Sequence, residues 1–207
     1  MGYYIDLSGI TIDDYSIKLE SAYLPPSRMV LKERVEERFD YLKNVGIKNV
    51  KELVQLLRKK DKFDQLSKVS CFSGDYLTIL LRELNSILPK PNKIKELPGI
   101  SAHVIKQLAN IGITDTLKLY DRVINSGSRS ELAGITGISD SEILELTKLT
   151  DLSRIKWVGV AFARMLYDLG IDTVEKASKA SASKQISLHI FPIKFMASMS
   201  ILYMFWL

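Results

Sequence analysis

Leu42-Lys43-Asn44-Val45-Gly46-Ile47, Leu108-Ala109-Asn110-Ile111-Gly112-Ile113 and Leu166-Tyr167-Asp168-Leu169-Gly170-Ile171 are three versions of one hexapeptide, with glycines 66 and then 58 residues apart. Apolar side chains precede each glycine at helical spacing: Leu31, Val35, Phe39 and Leu42; Val104, Ile105, Leu108 and Ile111; Phe162, Leu166 and Leu169. A glycine just past such a run can take the left-handed conformation that closes a helix. Start signals follow. Asn49 precedes Glu52 by three residues, Ser139 precedes Glu142 and Asp172 precedes Glu175, each in the pattern of a capping box. The segments beyond are again amphipathic, with Val50, Leu53, Val54 and Leu57, then Leu77, Leu80, Leu81 and Leu84, then Leu117, Tyr120, Val123 and Ile124. Sustained alternation of period two is absent from residues 28–180, so the expected fold is all-α.

Working outward, the match at offset 66 continues from Leu66 on Leu132 to Leu77 on Ile143, and at offset 58 Ile94 falls on Leu152 and Leu97 on Ile155. The difference of eight falls in Ser86 to Lys93, a stretch with Pro89 and Pro91 that reads as a linker. The expected organisation is an N-terminal extension over 1–27, a first helical repeat over 28–88, a second over 94–151, a third and incomplete one over 152–180, and an apolar tail over 181–207. Repeats of this kind stack as short helical pairs.

Ahead of the second and third blocks lie Leu97-Pro98-Gly99-Ile100-Ser101 and Ile155-Lys156-Trp157-Val158-Gly159. Both resemble the apolar-x-Gly-apolar-Gly turn of the helix-hairpin-helix motif, with Ser101 in place of one glycine and Trp157 in place of another. Small residues in that turn let backbone N–H groups approach a phosphate at a helix N-terminus. Trp157 does not suit such close approach and suggests a buried or partner-facing hairpin. The span Leu132-Ala133-Gly134-Ile135-Thr136-Gly137-Ile138-Ser139, with Asp151-Leu152-Ser153-Arg154-Ile155-Lys156 and Gly170-Ile171-Asp172-Thr173-Val174, resembles a bacterial domain-of-unknown-function family of tandem helix-hairpin-helix-like repeats. That family is similar in layout to repair-protein helix-hairpin-helix domains and to the C-terminal domain of the RNA polymerase alpha subunit. The resemblance, over roughly residues 40–180, implies backbone contacts at Gly99, Ile100, Ser101 and Lys106 and at Gly159, Val160 and Arg164.

Charge is unevenly spread. Residues 28–93 carry fifteen Lys/Arg against nine acids, whereas residues 94–180 carry eleven of each. The positive field centres on Arg58, Lys59, Lys60 and Lys62, with Lys43, Lys48, Lys51 and Lys68 nearby. This cluster could supply phosphate contacts, or it could be a solvated helix end. The single Cys71 reads as a small buried thiol, and His103 and His189 have no metal-ligand spacing. Scattered carboxylates and the absence of nucleotide or nucleophile motifs argue against an enzyme, a small-molecule substrate, a cofactor or a metal.

Two partner classes therefore stand: nucleic acid, DNA before RNA, or a protein held by a scaffold. The first residues lack the basic-then-apolar order of a signal peptide, which points to the cytoplasm. After Lys194 only thirteen uninterrupted residues remain, fewer than the ~20 that span a bilayer. A frameshifted or truncated end explains that tail better than a membrane tether.

Overall fold

The computed structural model describes residues 2–182. They form eleven α-helices: α1 (Ile12–Ser21), α2 (Val35–Asn44), α3 (Val50–Arg58), α4 (Lys60–Leu66), α5 (Gly74–Asn85), α6 (Ala102–Asn110), α7 (Thr116–Tyr120), α8 (Ser126–Thr136), α9 (Asp140–Ser153), α10 (Val160–Asp168) and α11 (Val174–Ala182). Among the described residues there is no sheet, only two isolated antiparallel bridges, Thr11 with Asn49 and Lys93 with Asp115. No described helix is long and apolar enough to cross a membrane. The tail at 188–207, where a tether would sit, lies outside the described residues.

The chain divides into two units. One is Ile5–Leu88; the other joins the first four residues to the chain from Pro89 onward. The first unit buries Leu31, Phe39, Leu42, Leu53, Leu57, Leu77, Leu80 and Leu84. The second has a core of Ile94, Val104, Leu108, Leu119, Leu132, Ile143, Leu146 and Leu149, and beside it a smaller cluster around Leu152, Ile155, Ala163 and Leu166. Each such aliphatic side chain contributes about 1.5–3 kcal/mol on leaving water. Cys71 is buried in the first unit.

The three glycines of the repeated hexapeptide share one local geometry. Gly46, Gly112 and Gly170 have φ of +90°, +79° and +78°. In each case the following isoleucine donates its N–H back five residues, Ile47 to the Leu42 carbonyl, Ile113 to Leu108 and Ile171 to Leu166, at 3.0, 2.9 and 2.9 Å. Each glycine N–H donates to the carbonyl three residues before it, at 2.9 Å. Together these bonds define the Schellman C-cap. A Cβ at any of the three would meet nothing within 4 Å, so backbone conformation alone demands glycine there.

The helix starts depart from expectation in places. Ser139 and Glu142 form the full reciprocal capping box. Asn49 caps α3, yet the Glu52 carboxylate accepts from the Lys48 N–H and the Asn49 side-chain amide rather than from the Asn49 backbone N–H. At α11 the cap is Thr173, whose hydroxyl accepts the Lys176 N–H at 3.1 Å, and not Asp172. Asp172 is instead occupied by Lys148 and Lys176.

Leu31 was expected on one helix with Val35, but Pro26–Lys32 is a 3-10 segment and α2 begins after Arg34, at φ +50°. The cause is Arg38. Its guanidinium donates at 2.6 Å to the Glu33 carbonyl, which a continuous helix would have paired, and at 2.6 Å to the distant Cys71 carbonyl. Likewise α7 stops at Tyr120, because Asn125 caps a new helix through its side-chain oxygen, 2.9 Å from the Ser128 nitrogen. Val123 stays buried, while Ile124 is left 60% exposed.

Candidate nucleic-acid interface

Three turns in the second unit lead into helices with a common backbone sequence: a left-handed residue, an apolar residue, then an extended N-cap. They are Gly99-Ile100-Ser101 before α6, Gly137-Ile138-Ser139 before α9, and Trp157-Val158-Gly159 before α10, with φ of +81°, +69° and +71° at their first positions. Ser101 and Ser139 cap their helices by accepting the Val104 and Glu142 N–H groups. Gly159 has no side chain to do so. The amides opening α10 therefore lack the side-chain acceptor that the other two turns provide.

Trp157 holds a backbone conformation that costs a non-glycine residue roughly 1–2 kcal/mol. The residue is 47% exposed, and the Lys156 ammonium lies 5.5 Å from the ring centre. Trp157 is thus exposed rather than buried in its hairpin. Val160, the first residue of α10, packs partly against the larger core.

Gly99 and Arg164, both named from sequence as phosphate contacts, touch one another. A Cβ built at Gly99 would lie 2.9 Å from the Arg164 guanidinium carbon. Arg164 Nη1 donates to the Pro98 carbonyl at 3.4 Å and pairs with Glu145, and its Nε lies 3.0 Å from Asp168. Hydrogen bonding to Glu145, and after it to Asp168, holds the guanidinium firmly in its charged form, against a partial loss of solvation. The cation also sits 5.4 Å from the centre of the Tyr167 ring. Arg164 is thus committed to its own chain. Lys106, on α6, is exposed.

The Arg58–Lys62 corner is different. Arg58 ends α3, Lys59 is the extended residue between helices, and Lys60 and Lys62 lie in the first turn of α4. All four are exposed. Arg58 donates to Asn85 at 2.7 Å and Lys62 to Gln65 at 3.4 Å, both neutral side chains. None of the four has an ion-pair partner among the described residues. Placing Lys60 and Lys62 at a helix N-terminus, where the backbone dipole already favours anions, adds like polarity rather than compensating it.

Sequence reading missed the polar ties of α9 and α10. Arg154, with a side chain only 2% exposed, donates to the Tyr3 and Gly2 carbonyls, each at 3.1 Å, and to Asp151 at 2.8 Å. Its guanidinium lies 4.2 Å from the Tyr120 ring centre. Burial raises the Asp151 carboxyl above its ordinary value, with Arg154 opposing the rise. Lys148 and Lys176 hold Asp172 down at about 2. Spacing could have revealed the Asp151–Arg154 pair, three residues apart, and the Arg164–Asp168 and Asp172–Lys176 pairs, four apart, but none of the longer-range ties.

Among the described residues, no group of three or more His, Cys, Asp or Glu side chains could hold a metal ion. The class these features define is an all-α protein with glycine-closed helices and short turns between them. Residues 98–187 match a domain of unknown function, DUF4332. No curated protein and no solved structure matches the chain.

Proposed function

We propose that the chain is a non-enzymatic module of tandem helix-hairpin-helix-like repeats that grips nucleic-acid backbone, DNA in preference to RNA, with little base readout, in the cytoplasm of a bacterium. The observation that carries this reading is the set of four exposed cations, Arg58, Lys59, Lys60 and Lys62, none of which is ion-paired among the described residues. Non-specific backbone affinity comes from such groups displacing counterions. The turns at Gly99 and Gly159 would add N–H donors, and Lys106 a further charge. The repeat arrangement is supported by the shared C-cap geometry and by the two bridges, each of which pairs the residue before α3 or α7 with a segment upstream of the preceding glycine. A role without catalysis is supported by the carboxylates Glu145, Asp151, Asp168 and Asp172, each held by a basic side chain rather than poised for proton transfer. Fluorescence anisotropy with a random-sequence duplex tests the proposal: binding that weakens steeply with salt is expected, and no binding up to ~100 μM refutes it.

A second reading, a protein-interaction scaffold, is favoured by Trp157, whose exposed indole on a costly backbone suits a partner's apolar pocket. Pull-down after nuclease treatment separates the two readings, because a protein partner survives removal of nucleic acid.

A further inference from the structure

Beside α9, between the turn that follows α7 and the turn that precedes α11, lies an open groove of about 300 Å³. That volume is at the small end of the ~300–1,000 Å³ range of organic-ligand sites. One wall is apolar: Tyr120, Val123 and the exposed Ile124. The other charges facing the groove are already matched within the chain. Asp172 takes Lys148 and Lys176, and Asp151 takes Arg154. Arg129 is the exception. Its Nη1 donates to the Val123 carbonyl at 3.3 Å, and it has no carboxylate partner among the described residues. A guanidinium carries five N–H donors in a planar fork, so one backbone carbonyl leaves most of them unused.

We propose that this groove binds a small apolar carboxylate, its anion forked onto Arg129 and its body against Val123, Ile124 and Tyr120. A carboxylate matches the guanidinium fork with two parallel hydrogen bonds. Polyphosphate suits the site poorly, because the apolar wall offers it nothing and Asp151 and Asp172 stand nearby. The inference is separate from backbone binding, since Arg129 is not among the cations assigned to phosphates.

The test titrates 4-phenylbutyrate into the isotope-labelled full chain and follows amide shifts by NMR. Saturable shifts confined to Val123–Arg129, Lys148 and Asp172 are expected, with Kd at or below ~1 mM. Arg129→Gln is expected to weaken binding about tenfold and Arg129→Lys to restore part of it. The neutral 4-phenylbutyramide should bind the unaltered chain as weakly as the acid binds Arg129→Gln. Ile124→Asn, at an exposed position that does not threaten folding, should weaken both probes. The proposal is overturned by an absence of saturable shifts, by shifts confined to other regions, or by acid affinity that Arg129→Gln and Ile124→Asn leave within about twofold of the original.

Discussion

The Arg164 guanidinium rests on the backbone of Gly99, so close that a Cβ at residue 99 would come within 2.9 Å of its central carbon. The two residues lie on different sequence repeats, and sequence reading assigned both to phosphate contact. Their meeting changes what the Gly99 turn can offer: one side of it is covered by an arginine already paired with Glu145 and Asp168.

Gly99→Ala should cost about 1–2 kcal/mol for forcing an L side chain to φ +81°. It should also displace the flexible end of Arg164, which adds a smaller loss. Denaturant unfolding of Gly99→Ala, Arg164→Ala and the double variant isolates that second part: the coupling between them should be favourable and vanish once Arg164 is absent. Strict additivity would show that the contact has no energetic role.

The Arg154 clasp should matter more. Arg154→Met strands the Tyr3 and Gly2 carbonyls and leaves the raised Asp151 carboxyl without its cation, so a loss of about 3–5 kcal/mol is expected. Removing residues 2–4 instead should cost about 2 kcal/mol, chiefly the burial of the Tyr3 ring and its hydroxyl bond to Thr116 at 2.9 Å. Equal stability of the shortened and full chains in urea would contradict the clasp.

Trp157→Gly should stabilise the fold by up to about 1 kcal/mol, because glycine takes φ +71° without steric cost while gaining disorder when unfolded. Thermal melting checks this. A loss above about 1 kcal/mol would mean that the indole is held by packing rather than presented to a partner.

Asp172 gives a pH signature. Its folded value of about 2 lies below the ordinary 3.8, first because Lys148 and then because Lys176 hydrogen-bonds the carboxylate. A depressed acid contributes stability that is complete above the unfolded value and is lost as pH falls from about 4 through about 2. Carbon-detected NMR titration should place the side chain near 2, and Lys148→Met should return it toward 3.8. An ordinary value in the unaltered chain would contradict the Lys148–Asp172–Lys176 arrangement.

What was legible in the sequence was local. The Gly-Ile C-caps declare themselves because the Schellman bonds span only six residues, and the Ser139–Glu142 box because it spans four. The first-unit start of α2 was hidden, since Arg38 reaches carbonyls across the 3-10 segment and as far away as Cys71. The same is true of Arg154, which binds backbone 151 residues earlier, and of Arg164 against Gly99. No periodicity encodes a polar side chain that finds its partner across the fold. Charge counting picks out the Arg58–Lys62 cluster, but only coordinates distinguish it from Arg164, whose charge is spent internally.

The most direct test of the central proposal compares salt dependence of duplex binding by the unaltered chain and by a variant with Arg58, Lys59, Lys60 and Lys62 all changed to Gln. The account predicts that log affinity falls linearly with log salt, and that the variant both binds more weakly and loses about one unit of slope for each phosphate-contacting cation removed. Identical slopes and affinities for the two proteins would contradict it.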